Sequence, residues 1–181
     1  GHLDWVKAQA DYLKGLSDQL SEHIDSEGKD TVTQGRFLDW PSNDNPVVTD
    51  AGVQAIHYLA ADSLEKLFKA LGEKEYAERC AEDKKRLVRY ETDYQEAKQA
   101  AALLVLAGLK DADKVNEELL RKNGAAGMST FMGYYILAAR AAAGDYTGCL
   151  ESIREYWGGM LKLGATTFWE DFDVEWMKNA A

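Results

Sequence analysis

Both prolines of this 181-residue chain, Pro41 and Pro46, fall in one loop, and this placement constrains the fold more than any other feature. Proline breaks helices and interrupts the hydrogen bonding of strands, so the remainder of the chain lacks the residue that most often ends regular structure. Ala, Leu, Glu, Lys and Tyr dominate that remainder, and no segment alternates between apolar and polar residues as a half-buried strand does. The sequence therefore predicts an all-α protein.

Apolar residues at helical spacing predict where the helices lie. The expected helices are 3–24, 49–71 or 50–71, 74–89, one from residue 92 or 93 through 107, 113–122, one from residue 129 or 130 to 143, 146–157, and 167–178. The inner face of the helix ending at Leu71 is expected to carry Ile56, Leu59, Ala60, Leu64, Leu67 and Phe68. The run from Ala100 to Ala107 has no polar face, which is typical of a buried helix.

Glycines are the expected helix breakers in this chain. Gly72, Gly124, Gly127, Gly144 and the Gly158-Gly159 pair follow periodic apolar segments. Paired helices joined by tight turns are found in two architectures, a helical toroid and a helical solenoid. Periodicity alone does not separate them. We expect residues 1–181 to form a single all-α domain.

The charge of the chain limits its partners. Acidic residues outnumber basic ones, 31 against 21, so the formal net charge is −10. Such a charge disfavours binding to nucleic acids and to anionic membrane surfaces. No apolar run reaches the ~18 residues of a membrane span. Cys80 and Cys149 lack metal-ligand spacing and are expected to be free and buried, and His57 is expected to be a buried, hydrogen-bonded side chain.

Aromatic residues flank carboxylates in two distant segments. Residues 164–173 read Gly-Ala-Thr-Thr-Phe-Trp-Glu-Asp-Phe-Asp, and residues 37–41 read Phe-Leu-Asp-Trp-Pro. Apolar rings stack on the carbon face of a pyranose, and by desolvation they raise the pKa of a neighbouring carboxylate. The two segments therefore favour a carbohydrate-active site. We find no zinc motif, phosphate-binding loop or Ser-His-Asp set, and we predict neither a metal nor an organic cofactor.

Five residues of these segments are candidate site residues. Glu170 is the candidate catalytic carboxylate, although Thr167 and Glu170 also fit the Ser/Thr-x-x-Glu capping box, so a capping role stays open. Asp173 would share a helix face with Glu170 and is a candidate ligand for sugar hydroxyls. Asp39 is a second such ligand, and Trp40 and Trp169 are candidate substrate contacts. Phe131, Tyr134 and Tyr135 are expected to lie mostly in the core, with one tyrosine hydroxyl reaching the cavity.

The same segments resemble the catalytic domain of bacterial α-L-rhamnosidases, which are inverting glycoside hydrolases with an (α/α)6 barrel. The resemblance rests on Asp39-Trp40-Pro41, on Ser129-Thr130-Phe131 leading into Tyr134-Tyr135, and on Ile153-Arg154-Glu155-Tyr156-Trp157 followed by Gly164 to Glu170. It extends from about residue 37 to the end of the chain. It implies a toroid-like set of helical hairpins, forming a partial barrel.

The resemblance also implies a reaction and a ligand. Glu170 would be the general base in the hydrolysis of terminal α-L-rhamnosides, and Trp40 would line the sugar subsite. The ligand would be a rhamnose-containing oligosaccharide or glycoside. The family segment that supplies the general acid has no match here, and a histidine that follows the base segment is also absent. We therefore expect the chain to form part of a larger six-hairpin catalytic domain and to be inactive by itself. A periplasmic or extracellular location is suggested by the resemblance only.

Two further expectations follow from these features. A partial barrel would expose apolar faces, including part of the segment from Ala100 to Ala107, and this predicts self-association as a homodimer. The alternative to an enzyme is a tetratricopeptide-like scaffold that binds a protein partner. The segments that begin at Leu71 and Ala143 both resemble tetratricopeptide turns, but they do not recur at a fixed ~34-residue period.

Overall fold

The computed structural model describes residues 2–179, and within that range the chain is helical, which confirms the predicted all-α class. The α-helices are α1 Leu3–Ala8, α2 Ala10–Glu22, α3 Pro46–Leu71, α4 Lys74–Leu87, α5 Lys98–Leu106, α6 Ala112–Val115, α7 Gly133–Ala142 and α8 Tyr146–Lys162. Trp40–Ser42 and Val174–Asn179 are 3-10 helices, and Asn116–Leu120 is a π-helical segment. In residues 2–179 the β pairing consists of one isolated bridge between Ile24 and Asp30.

The chain forms two compact units. The first unit comprises the chain up to Arg36 together with Val53–Thr92, and the second comprises Phe37–Gly52 and the chain from Asp93 onward. Helix α3 therefore contributes its first turns to the second unit and the remainder to the first.

The first unit has a core between α2, α3 and α4. Leu64, Phe68, Ala77 and Cys80 are buried together. A smaller buried cluster joins Ile24, Ala61 and Leu87. On the surface of this unit, the Lys84 ammonium lies 2.5 Å from Asp62 and 2.9 Å from Glu65, which draws the basic part of α4 into ion pairs with α3.

The core of the second unit is built around α5. Residues Ala100 to Val105 are all buried, as the absence of a polar face predicts. Ile136 and Ala139 of α7 and Tyr156 and Met160 of α8 pack in the same cluster. Ala107 is also buried, so the expectation that part of this segment is exposed for self-association is wrong. The homodimer itself stays a prediction.

Helix α3 begins earlier than expected. The predicted cap at Thr49 or Asp50 is wrong because Asn45 precedes the first turn and accepts, through Oδ1, a hydrogen bond from the Val48 amide at 3.4 Å. Pro46 then occupies the first helical position, where proline is favoured because the missing N–H would have no partner in the helix. The predicted end at Leu71 is confirmed, with Gly72 at φ 79° in the left-handed region.

The buried face of α3 differs in part from the predicted one. Leu64 and Phe68 are buried, but Ile56 is 44% exposed, and Gln54, Ala55 and His57 take the inward positions. The expected role of His57 is confirmed, since its Nδ1 lies 2.6 Å from Asp30 Oδ2 and both side chains are buried. Both cysteines are free, Cys80 buried and Cys149 half-buried.

Other predicted boundaries are also wrong, among them the start of α7, which is Gly133 and not residue 129 or 130. Residues 3–24 form two helices that meet at Gln9. Asp93 does not start α5, because its carboxylate accepts a hydrogen bond from the Gln95 amide at 2.8 Å and so forms a turn. Helix α8 continues through Gly158 and Gly159 to Lys162. Helical glycines are tolerated where close packing favours them, and Gly159 is buried at such a contact.

Candidate functional site

The segment that carries Glu170 is a loop and not a helix. Residues 165–173 have no helical turn, and the 3-10 helix begins only at Val174, so the predicted helix 167–178 is wrong over most of its length. The Thr167 hydroxyl is 3.3 Å from the carbonyl oxygen of Phe168 and caps no helix. The capping role considered for Glu170 is therefore excluded. The shared helix face of Glu170 and Asp173 is excluded with it.

We call residues 163–173 the carboxylate loop, and apolar packing anchors it. Phe172 is 2% exposed, and its ring meets those of Tyr156 at 5.2 Å and Trp176 at 5.9 Å between centroids. A Cβ atom added at Gly159 would lie 2.8 Å from Phe172 Cζ. The glycine therefore allows the ring to lie directly on α8. Because Phe172 occupies the core, the neighbouring carboxylates Glu170, Asp171 and Asp173 are left exposed.

A hydrogen bond attaches the same loop to the turn before α7. The Thr130 hydroxyl donates to the Trp169 carbonyl oxygen at 2.5 Å. The Trp169 side chain is half-buried and packs toward Phe172, with 6.1 Å between ring centroids. Trp169 is thus part of the support of the loop as well as a neighbour of Glu170.

The second aromatic segment meets the first at Glu170. Trp40 Nε1 donates to Glu170 Oε1 at 3.3 Å, although the two residues are 130 positions apart. The Trp40 ring is 62% exposed, and Phe37 packs edge-on against it at 5.0 Å between centroids. The geometry therefore brings together two of the five candidate residues, an exposed indole and an exposed carboxylate.

Leu38 and Gly52 position the Trp40 turn. Leu38 is buried, and a Cβ atom at Gly52 would lie 2.5 Å from its methyl carbons. The Leu38 side chain therefore lies directly on the first turns of α3. The Thr49 hydroxyl donates to the Ser42 carbonyl oxygen at 3.3 Å and closes the other end of the turn.

Glu170 borders an apolar cavity. The cavity has a volume of ≈ 450 Å³ and is lined by Thr130, Phe131, Tyr134, Tyr135 and Glu170. The expected enclosure of the carboxylate by Phe168 is not found, since Phe168 is 68% exposed and Glu170 itself is exposed. Aromatic rings from another part of the chain supply the apolar surroundings instead.

Phe131 and Tyr134 line this cavity and do not lie in the core, contrary to the expectation. They are 71% and 70% exposed. Their spacing of three places them close together on the chain, but periodicity does not say which face of a helical segment is buried. The position of both residues at or just before the start of α7 is the signal that could have identified them as a rim.

Asp39 lies in the interior next to Trp40. It is 4% exposed, and its Oδ2 atom has no hydrogen-bond partner among the described residues. Burial raises the pKa of Asp39, the negative charge of Asp171 adds to the rise, and hydrogen bonds from Ser129, the Trp40 amide and Gln99 oppose it. A buried carboxyl without a cation favours its protonated form. Asp39 is therefore buried in this structure, and its role as a ligand for sugar hydroxyls stays a prediction.

Tyr156 is a second buried polar group near these carboxylates. Its side chain is 1% exposed, and its hydroxyl has no partner of good geometry in the part of the chain that the structure describes. Burial raises the pKa of Tyr156, and Asp171, Asp39 and Asp173 add to the rise. The nearby Thr130 hydroxyl opposes it only in part. Asp173 is exposed and accepts a hydrogen bond from the Glu175 amide at 2.9 Å, so it begins the last 3-10 helix.

Residues 2–179 hold neither a cluster of metal-ligating side chains nor a helix suited to span a membrane. No group of three or more His, Cys, Asp or Glu side chains in this range is placed to hold a metal ion. None of the helices in this range combines the length and the apolar character needed to cross a membrane.

Comparison with known proteins gives a likeness to a solved structure. No protein-family model matches the sequence, and no curated protein matches it. Among solved structures, the chain is similar to a GH78-family rhamnosidase of Bacillus sp. GL1, with a TM-score of 0.79 and 22% sequence identity. The similarity covers 95% of this chain and 21% of that chain, so this chain spans about a fifth of its length. At this identity the likeness shows the fold, an α/α toroid-like arrangement of helical hairpins.

Proposed function

We propose that this chain is part of the catalytic domain of a glycoside hydrolase that cleaves terminal α-L-rhamnosides with inversion. Glu170 acts as the general base, and Trp40 lines the sugar subsite. The general acid is supplied from outside residues 1–181. The ligand is a rhamnose-containing oligosaccharide or glycoside, and the reaction uses the protein's carboxyl groups.

The contact between Trp40 and Glu170 carries this proposal. The resemblance assigns these residues to one subsite, and Trp40 Nε1 lies 3.3 Å from Glu170 Oε1. The excluded capping role strengthens the assignment, because the alternative local function of Glu170 required a helix that begins at residue 167. The likeness in fold to a GH78 rhamnosidase supports the glycoside hydrolase class of the proposal.

The proposed chemistry follows from the exposure of these groups. An inverting hydrolase activates a water molecule with one carboxylate while a second carboxyl group, ~6.5–9.5 Å away, protonates the leaving oxygen. Glu170 is exposed and so accessible to water. The hydrogen bond from Trp40 holds one carboxylate oxygen and leaves the other to accept the proton of the water. The exposed face of Trp40 is suited to stack on the sugar ring.

Glu170→Gln tests the role of the base. In a polypeptide that also carries the acid-bearing part of the domain, turnover of an aryl α-L-rhamnoside should fall by about 10²–10⁴-fold, since an amide does not accept the proton of water. The thermal midpoint should change little, because Glu170 is exposed and caps no helix.

Glu175→Gln is the matched control, since Glu175 is also exposed and is ion-paired with Lys178 at 2.6 Å. It should leave turnover unchanged. Full turnover in Glu170→Gln would contradict the proposal. The 181-residue chain alone should bind L-rhamnose with a change in tryptophan fluorescence that Trp40→Phe removes, and should hydrolyse no rhamnoside.

A further inference from the structure

Two adjoining cavities of the second unit are lined mainly by polar side chains. Their volumes are ≈ 480 Å³ and ≈ 430 Å³, and they share Gln95, Glu96, Lys98 and Gly127 as lining residues. We call them together the amide groove, defined by Tyr94, Gln95, Glu96, Lys98, Asn123 and Gly127. Each volume is within the range of small-molecule sites.

The backbone of the groove is strained at two positions. Gln95 has φ 47° and Asn123 has φ 58°, and these are the two non-glycine residues in the described range with positive φ. The left-handed region disfavours side chains with a Cβ atom, asparagine less than glutamine. Glycine would adopt either conformation at a lower steric cost, so both amide side chains can be replaced by glycine without straining the backbone.

The amide side chains are held in place. Asn45 Nδ2 donates to Gln95 Oε1 at 2.7 Å, and Gln99 Nε2 donates to the Gly127 carbonyl oxygen at 2.8 Å. Gln95 therefore presents its NH2 group from a fixed position. Fixed polar groups bind a ligand at a lower entropic cost than mobile ones.

The base of the groove is the Lys98 ammonium. Its Nζ donates to the carbonyl oxygens of Lys122 and Gly124 at 2.7 and 2.8 Å, which uses two of its three donors. Burial lowers the pKa of Lys98 to about 8, the charge of Arg140 adds to the fall, and Glu155 opposes it. The base is thus desolvated, and hydrogen bonds are stronger in such surroundings than at a wet surface.

The lining excludes ligands of high net charge. Glu96 and Glu118 face the same cavity as Lys98 and Lys122. Two acids and two bases attract neither a polyanion nor a polycation strongly. Amides, which both donate and accept hydrogen bonds, together with the ring of Tyr94, suit a neutral ligand rich in hydroxyl groups.

One short turn contributes residues to both the proposed sugar subsite and the groove. Trp40 of the 3-10 helix Trp40–Ser42 contacts Glu170, and the next two residues, Pro41 and Ser42, line the groove. We propose that the amide groove binds further sugar units of a neutral oligosaccharide whose terminal unit is held by Trp40 and Glu170. This inference rests on the proposed function.

Calorimetric titration of the 181-residue chain with two probes tests the proposal. The probes are L-rhamnose and a linear tetrasaccharide of α-1,2-linked L-rhamnose. The tetrasaccharide should bind at least about tenfold more tightly than L-rhamnose, because it adds hydrogen bonds in the groove. The double variant Gln95→Gly/Asn123→Gly should remove this advantage and leave the affinity for L-rhamnose unchanged.

The double variant is chosen because it does not threaten the fold. Glycine accepts positive φ without a steric cost, so its thermal midpoint should not fall. Gln34→Gly removes an exposed amide from the first unit and is the matched control. It should leave both affinities unchanged.

The outcomes separate this proposal from the proposed function. Equal affinity for the two probes overturns the groove and leaves the rhamnose subsite intact. A tetrasaccharide advantage that survives the double variant places the extra units elsewhere and also overturns it. If neither sugar binds, both proposals are overturned. Tighter binding of a tetragalacturonate than of the tetrasaccharide overturns the inference that the ligand of the groove is neutral.

Discussion

Two loops of the molecule are anchored by opposite means. The loop 25–36 of the first unit is held by charge, since Asp30 is 2% exposed and contacts His57 Nδ1 at 2.6 Å and Arg36 at 2.5 Å. Gln54 Nε2 donates to the Gly28 carbonyl oxygen of the same loop at 2.7 Å. The carboxylate loop of the second unit is held by the ring of Phe172.

The difference shows what each anchor leaves available. Where an ion pair anchors a loop, the carboxylate is not available for other contacts, because a buried anion needs its cation and its hydrogen bonds in place. Where a buried aromatic ring anchors a loop, the neighbouring carboxylates take no part in the anchoring and can remain at the surface. Glu170, Asp171 and Asp173 are exposed for that reason, whereas Asp30 is fully engaged.

The two buried aspartates repeat this contrast. Burial raises the pKa of Asp30, but hydrogen bonds from His57 and Arg36 outweigh it, and the pKa lies below its usual value of 3.8. Asp39 has no such cation, and its pKa lies above 3.8. Similar burial therefore goes with a lowered pKa where a cation is present and with a raised pKa where none is.

The largest expected effect is that of Asp30→Ala. Removing the Asp30 carboxylate leaves Arg36 without its buried anion and His57 without its hydrogen-bond partner, so the free energy of unfolding should fall by about 3–5 kcal/mol. Urea denaturation followed by circular dichroism measures it. Glu27→Ala, an exposed acid of the same loop, should change stability by less than about 0.5 kcal/mol. A loss below about 1 kcal/mol for Asp30→Ala would show that charge is not the anchor.

An intermediate effect is expected at the apolar anchor. Gly159→Ala should destabilise the fold by about 1–3 kcal/mol, because the new methyl group meets the ring of Phe172. The adjacent Gly158→Ala meets no atom within 4 Å and should stabilise the helix by about 0.5–1 kcal/mol. Thermal unfolding of the two variants measures both the expected loss and the expected gain of stability. If the two variants behave alike, Phe172 does not need its present contact with α8.

The smallest effect is the dependence of stability on pH. The lowered pKa of Asp30 gives stability that is present above pH 3.8 and is lost as the pH falls through the folded-state value. The raised pKa of Asp39 has the opposite sign, so its contribution is present below pH 3.8 and is lost as the pH rises through the folded-state value.

Substitution by asparagine separates the two titrations. Asp39→Asn should stabilise the protein more at pH 7 than at pH 4, because it removes the cost of ionising a buried carboxyl group. Asp30→Asn should reduce the loss of stability on acidification below pH 4. Urea unfolding across this range measures both, and curves of the same shape for the two variants would abolish the contrast between the aspartates.

Much of the fold could be predicted from the sequence. The all-α class, the end of α3 at Leu71, the burial of α5 and the buried pairing of His57 are confirmed because they depend on local periodicity, on glycine at a turn or on a lone polar residue in an apolar stripe. The start of α3 was misplaced because Thr49 and Asp50 were given more weight than the favoured position of Pro46.

The candidate site was less predictable. Residues 167–178 have good helix-start chemistry, but Phe172 and Trp169 pack in the core, and that packing overrides the capping pattern. Phe131 and Tyr134 have the composition of core residues and lie at a rim. The choice between core and surface for an aromatic residue depends on which elements pack around it.

By itself, the sequence determined the helical class, most helix positions, the acidic surface and the two aromatic segments that carry the candidate residues. These properties follow from propensity and periodicity along the chain. Only the tertiary structure decided that Trp40 contacts Glu170, that Asp30 is paired with a cation while Asp39 is not, and that Gln95 and Asn123 face one groove. Each of these contacts joins distant parts of the chain, and packing, which no local pattern encodes, selects them.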